Sequence, residues 1–176
     1  MRSLLVLGVL GLVIADSVTV SAQERFGRVG VVLSWMELNN FQPALPDMNL
    51  EQRAMLFSLR AALGSDSGLS LRLTGGWGFG FSPQALLLAH FESAVVWGIL
   101  LENVRLYAEG GMGMLNLRQG AVEAWRLTGW VAGGGQMRFL WGILVFFEIA
   151  PLTLLDLQAP SLPWVWFYRA GVLWQF

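Results

Sequence analysis

The stretch WVWFYRAGVLWQF, residues 164–176, changes chemical character at every step. Counting back from Phe176 in twos gives Trp174, Val172, Ala170, Tyr168, Trp166 and Trp164, all apolar or aromatic. The intervening set is Gln175, Leu173, Gly171, Arg169, Phe167 and Val165. In a β-strand successive side chains point to opposite faces, so a period of two places one greasy face and one mixed face on the same strand. A helix would scatter these residues around its axis.

The pattern recurs. In RLYAEGGMGM (105–114), Arg105, Tyr107 and Glu109 alternate with Leu106, Ala108 and Gly110. In LSLRLTGGWGFG (69–80), Ser70, Arg72 and Thr74 alternate with Leu69, Leu71 and Leu73. In WRLTGWVAGGGQMRF (125–139), Arg126, Thr128, Trp130, Gln136 and Arg138 share one side. Extending this reading predicts eight strands, at 25–38, 51–63, 69–79, 85–100, 104–117, 122–138, 143–156 and 163–176. The connections 64–68, 101–103 and 140–142 are tight. Those at 39–49, 80–84, 118–121 and 157–163 lie at the opposite end and hold most of the prolines, where no ladder hydrogen bond is lost. Pro151 falls inside the seventh strand and calls for a bulge there.

Composition says what the greasy face meets. The chain is 55 % hydrophobic and only 13 % charged, with mean hydropathy +0.56, against roughly 25 % charged in soluble domains. A soluble barrel of this size keeps its apolar residues inside; here the charged residues share the inward set. Strand edges left open in hydrocarbon would cost several kcal/mol per unpaired group, so the sheet must close on itself. The predicted fold is therefore all-β, an eight-stranded antiparallel up-and-down transmembrane β-barrel. Two rivals stand against it: a helical span in FLWGILVFFEIAPLTLLDL (139–157), broken by Glu148, Pro151 and Asp156, and a soluble lipocalin-like barrel. The glycine-rich GGMGM, GGWGFG and AGGGQ stretches are poor helix formers.

Residues 1–22 read as a cleaved signal peptide. Arg2 precedes an apolar run from Leu4 to Ile14, and Val20-Ser21-Ala22 offers small residues before a cut. The run of about eleven residues is short for a spanning helix, which needs roughly twenty. Residues 23–176 would then form the barrel domain. The net charge of −1 gives no general attraction to nucleic acid. With no Cys, one His and no Asp-rich loop, no metal site and no cofactor is expected.

This pattern resembles the small outer-membrane β-barrels of the OmpA transmembrane-domain and OmpX kind. The resemblance implies residence in the outer membrane of a diderm bacterium, among its lipids and lipopolysaccharide. In that family the last strand ends in Phe with apolar or aromatic residues at alternate positions, a signal read by the barrel-assembly machinery. Here Tyr168, Ala170, Val172, Trp174 and Phe176 stand at the matching positions.

The alternation aims Arg28, Arg60, Arg72, Arg105, Arg126, Arg138 and Arg169 inward, with Glu92, Glu109, Glu148 and His90. A lumen this narrow is filled by side chains. The expected role is structural, an Arg/Glu network plugging a small envelope barrel. The alternatives are a narrow anion-favouring pore, a binding module using NNFQPALPDMN (39–49), and a lipid A-modifying enzyme. For the last, His90 has Glu92 two residues on. Ser93 faces the other way, and the sequence alone places none of Ser34, Ser58 and Ser70 beside His90.

Overall fold

A computed structural model of the chain describes residues 25–50, 53–80, 85–155 and 163–176. The signal-peptide reading and parts of the connections at 80–84 and 157–163 lie outside these residues. The described chain forms β1 (Arg25–Glu37), β2 (Arg53–Ser65), β3 (Gly68–Gly80), β4 (Leu86–Leu101), β5 (Val104–Gln119), β6 (Val122–Arg138), β7 (Ile143–Leu154) and β8 (Trp164–Gln175). Each strand pairs antiparallel with the next, and β8 returns to β1, closing the barrel. The predicted fold class stands, with strand bounds shifted by a residue or two.

Two ends follow from this winding. The terminal end carries Arg25, Phe176 and the tight turns after β2, β4 and β6. The loop end carries the longer connections and a 3-10 turn at Asn39–Ala44. The outer surface exposes Leu59, Leu63, Leu71 and Val131 at around two thirds of their full area. A contiguous apolar surface of this kind is not tolerated in water and fits a hydrocarbon layer. Aromatic side chains ring both ends of that belt. Trp35, Trp77, Trp125, Trp164 and Trp166 are exposed toward the loop end, and Trp97, Phe139, Trp141, Trp174 and Phe176 toward the terminal end. Such paired girdles sit at membrane–water boundaries, where a ring is half greasy and half polarisable.

Pro151 does not make a bulge. The β6–β7 register runs Thr128↔Leu154 to Trp130↔Leu152, lapses over Val131 and Ala132, and resumes at Gly133↔Ile149 with no residue inserted. Pairing of Pro151 with Trp166 on the β8 side is intact. The missing donor thus faces β6, and the sheet absorbs it as a local gap in one ladder, because both neighbours hold the strand in line.

The β4–β5 turn has the opposite problem. Glu102 adopts φ 55°, a left-handed conformation that a residue with a Cβ adopts at a cost. Asn103 does not share it, so glycine is the natural residue at this first turn position. Glu102→Gly is expected to stabilise the barrel by about 0.5–1 kcal/mol, after subtracting glycine's extra unfolded-state entropy. Urea unfolding of the refolded barrel checks it.

Candidate functional site

The candidate site is the lumen, which is filled in three storeys. At the loop end the interior is apolar. The expectation that charged residues share the inward set therefore holds below this level and not here. Met36, Ala54, Leu56, Leu86, Leu88, Leu115, Leu117, Leu152, Leu154 and Phe167 turn inward and are buried. Into this cup folds the segment after β1: Leu38, Phe41, Leu45, Met48 and Leu50 are all buried against it. The segment NNFQPALPDMN therefore puts its apolar side chains into the mouth of the barrel.

Two glutamines hold this plug by satisfying its backbone, as a buried loop requires. The Gln42 side-chain oxygen accepts from the Leu50 N–H at 2.6 Å. The Gln119 side chain accepts from the Asn49 N–H at 2.7 Å and donates to the Asn49 carbonyl at 3.1 Å. Asn40 donates to the Trp164 carbonyl at 3.0 Å, tying the rim to β8.

Below the plug lies a belt of ion pairs. Glu148, fully buried, accepts from Arg60 through both carboxylate oxygens at 2.6 and 3.0 Å, from Arg72, and from the Tyr107 hydroxyl at 2.8 Å. Arg72 also donates to Glu109. Arg169 donates to both oxygens of Glu92 at 2.8 Å and to Glu109 at 3.2 Å. Three guanidinium groups thus interleave with three carboxylates contributed by β2, β3, β4, β5, β7 and β8. Arg60 and Arg169 lie over the rings of Phe146 and Phe167, 4.4 and 4.2 Å from their centres. The rings cover faces of the guanidinium planes that carry no donors.

Beside the belt stands a Ser–His pair that the sequence alone does not bring together. Ser58 Oγ is 2.7 Å from His90 Nε2, and His90 Nδ1 is 3.4 Å from Glu92 Oε1. The register explains it: Ser58, Gly76 and His90 are directly opposed across β2, β3 and β4. A Cβ at Gly76 would lie 2.6 Å from Ser58 Oγ, so only glycine lets the two side chains meet over the middle strand. The string has the residue types of a hydrolytic triad but not its working parts. The Nδ1 contact is too long for a hydrogen bond, and Glu92 is engaged by Arg169 through both oxygens. Ser58 is in mid-strand, paired to Val32 and Gly76, and the apolar plug lies over the site.

The third storey is at the terminal end. Arg28 and Arg138 both donate to Asp66, which reaches inward from the β2–β3 turn. Arg28 also donates to Gln175 at 2.7 and 3.0 Å and to Gln136 at 3.3 Å. Arg105 donates to the Ser65 carbonyl at 3.2 Å and to Ser70 at 3.3 Å. Asp66 escapes a reading of the sequence; a lone acid in a turn gives no sign that it will fold back under the barrel, whereas the alternation puts Gln175 in the mixed set of the last strand without naming its partner. Arg126 stands apart from all three storeys. It is half-buried near the loop end, and its guanidinium donates to the Trp125 carbonyl at 3.0 Å, away from the carboxylates.

Tyr168, Ala170, Val172 and Trp174 form one outward row on β8, continued by Phe176 just after the strand. Phe176 is tied to β1 by reciprocal backbone hydrogen bonds with Gly27, at 2.9 and 3.0 Å.

A closed ring of eight antiparallel strands, apolar outside and ion-paired within, is the architecture of the small outer-membrane β-barrels. Solved structures of that class are similar to this chain in fold. A major outer membrane protein of Thermus thermophilus superposes with a TM-score of 0.59 at 8 % identity, over 88 % of this chain and 100 % of that one. Neisserial surface protein A gives 0.56 at 9 %, over 86 % and 95 %. Ail, the attachment invasion locus protein of Yersinia pestis, gives 0.53 at 13 %, over 88 % and 99 %. No protein-family model and no curated sequence matches the chain.

Proposed function

We propose that this chain is an integral outer-membrane barrel with a structural role in the envelope, its lumen sealed by the plug and the ion-pair belt, and with no catalytic activity. The observation that carries this reading is the filling of the interior at the loop end and at mid-height. Phe41 and Leu50 close the loop end, and Arg60, Arg169 and Glu148 are almost wholly excluded from solvent in the middle. The apolar belt with its two aromatic girdles supports a membrane setting. The named neighbours, outer-membrane proteins among them, support placing that membrane at the cell surface. The terminal end would then face the periplasm, where an exported chain arrives, and the outward row ending at Phe176 would serve the assembly machinery.

The buried plug leaves the segment 39–49 little apolar surface to offer a partner, which argues against the loop-binding reading. The engaged Glu92 and the covered Ser58 argue against acyl chemistry. Planar-bilayer recording of the refolded chain tests the sealed lumen: an unbroken baseline is expected. Discrete, anion-selective steps would replace this reading with that of a narrow pore.

A further inference from the structure

Among the described residues, the terminal end of the lumen holds more positive charge than its carboxylates neutralise. Arg28, Arg105 and Arg138 gather round one acid, Asp66, and two of them use it. Arg105 is 3 % exposed, yet among the described residues no carboxylate lies within salt-bridge distance of it. Among the described residues its guanidinium bonds only neutral oxygens, those of Ser65 and Ser70, and its Nε has no partner. Directly across the β5–β6 ladder stands Gln136, also buried, whose side-chain N–H2 likewise has no partner. A buried charge is unfavourable unless it is compensated, and here one carboxylate, Asp66, serves three guanidinium groups, so the cluster gains from a further negative charge. Gly98 makes room for the Arg105 side chain itself: a Cβ there would lie 2.6 Å from Arg105 Nε. Arg138, about a third exposed, connects the cluster to the open end.

We propose that this mouth binds a phosphate-type oxyanion, held by Arg105 and Arg138 with the Gln136 amide as a third donor. Planar guanidinium groups match the geometry of phosphate oxygens, and a partly dehydrated site strengthens each such bond. The anion could be free phosphate or the headgroup of a lipid at the inner rim; the chemistry is the same. The proposal goes beyond the sealed-lumen reading and does not require it, because the part-exposed Arg138 lies at the terminal end, away from the plug.

Calorimetric titration of sodium phosphate into the refolded full chain, in uncharged maltoside micelles, tests it. Saturable heat is expected, and none with sodium chloride at matched ionic strength. Arg138→Gln, at the rim where folding is least at risk, should weaken binding about tenfold, and Arg105→Gln should weaken it further. Asp66→Asn carries the opposite sign. It removes the competing carboxylate and should tighten phosphate binding by about tenfold while lowering the stability of the unliganded barrel, a pairing that a purely structural cluster cannot produce. Doping the micelles with phosphatidylglycerol separates the sources: competition with phosphate identifies the headgroup, and an unchanged affinity identifies the free anion. No saturable heat in either the parent chain or Asp66→Asn, or an equal response to chloride, would overturn the proposal.

Discussion

Glu148→Gln is expected to destabilise the barrel by about 3–5 kcal/mol, the range seen when one member of a buried ion pair is removed. The reason lies in what each arginine has left. Arg72 would keep Glu109, and Arg169 would keep Glu92 and Glu109. Arg60 would keep only neutral acceptors, the Thr74 hydroxyl at 3.2 Å and the new amide's oxygen, since Glu148 is its one salt-bridge carboxylate among the described residues. The penalty is therefore chiefly a stranded Arg60. This makes a sharper expectation possible: adding Arg60→Met should recover much of the loss, because an apolar side chain of similar length over the Phe146 ring needs no counter-charge. Equilibrium urea unfolding of the single and double variants reads both numbers. A single variant within about 1 kcal/mol of the parent, or a double variant worse than the single, would show that the belt is held by something other than these pairs.

Phe41→Ala is expected to cost about 3–5 kcal/mol, the usual penalty for emptying a fully buried aromatic site. The plug is a short segment with little regular structure, and its hold on the cup is that ring together with Leu38, Leu45, Met48 and Leu50. Removing the ring should also release the segment, so limited proteolysis should cut between residues 39 and 49 while the strands survive. Phe91→Ala supplies the contrast. That ring is more than half exposed on the outer surface, where lipid fills the space it leaves, so its loss should cost much less. Equal losses at the two sites would mean that the plug is not seated as described.

The difference between these two phenylalanines marks how far the sequence could be read. Where the faces differ in polarity, as in RLYAEGG or WFYRAGV, alternation assigned each side chain to its face, and the barrel followed from there. Near the loop end both faces are apolar: LLLA at 86–89 in β4 carries no contrast, so the cup was invisible. Contacts between strands were illegible for another reason. Ser58 meets His90 only because two hairpin registers add up to place Gly76 between them, and a register error of one residue in either hairpin would separate the pair. Asp66 could not be foreseen from any periodicity, since it sits in a turn and acts by folding back. Arg126 shows the converse limit: the correct face does not ensure a partner, because its height on β6 puts it beyond the carboxylates.

The ring is not equally strong around its circumference. Strands β4 and β5 stay paired from Leu86↔Gln119 to Leu101↔Val104, whereas the join between β1 and β8 runs only from Arg28↔Gln175 to Met36↔Phe167. That join brings together the chain's most distant segments and can zip only after every hairpin has formed. Arg28 and Gln175 sit across it at its lower end, with side chains clasped over the opening. Together with the reciprocal Gly27–Phe176 backbone bonds, this clasp ties the two ends of the chain to each other, so a barrel weakened there would open at the one seam whose loss turns the ring into a sheet running unbroken from β1 to β8.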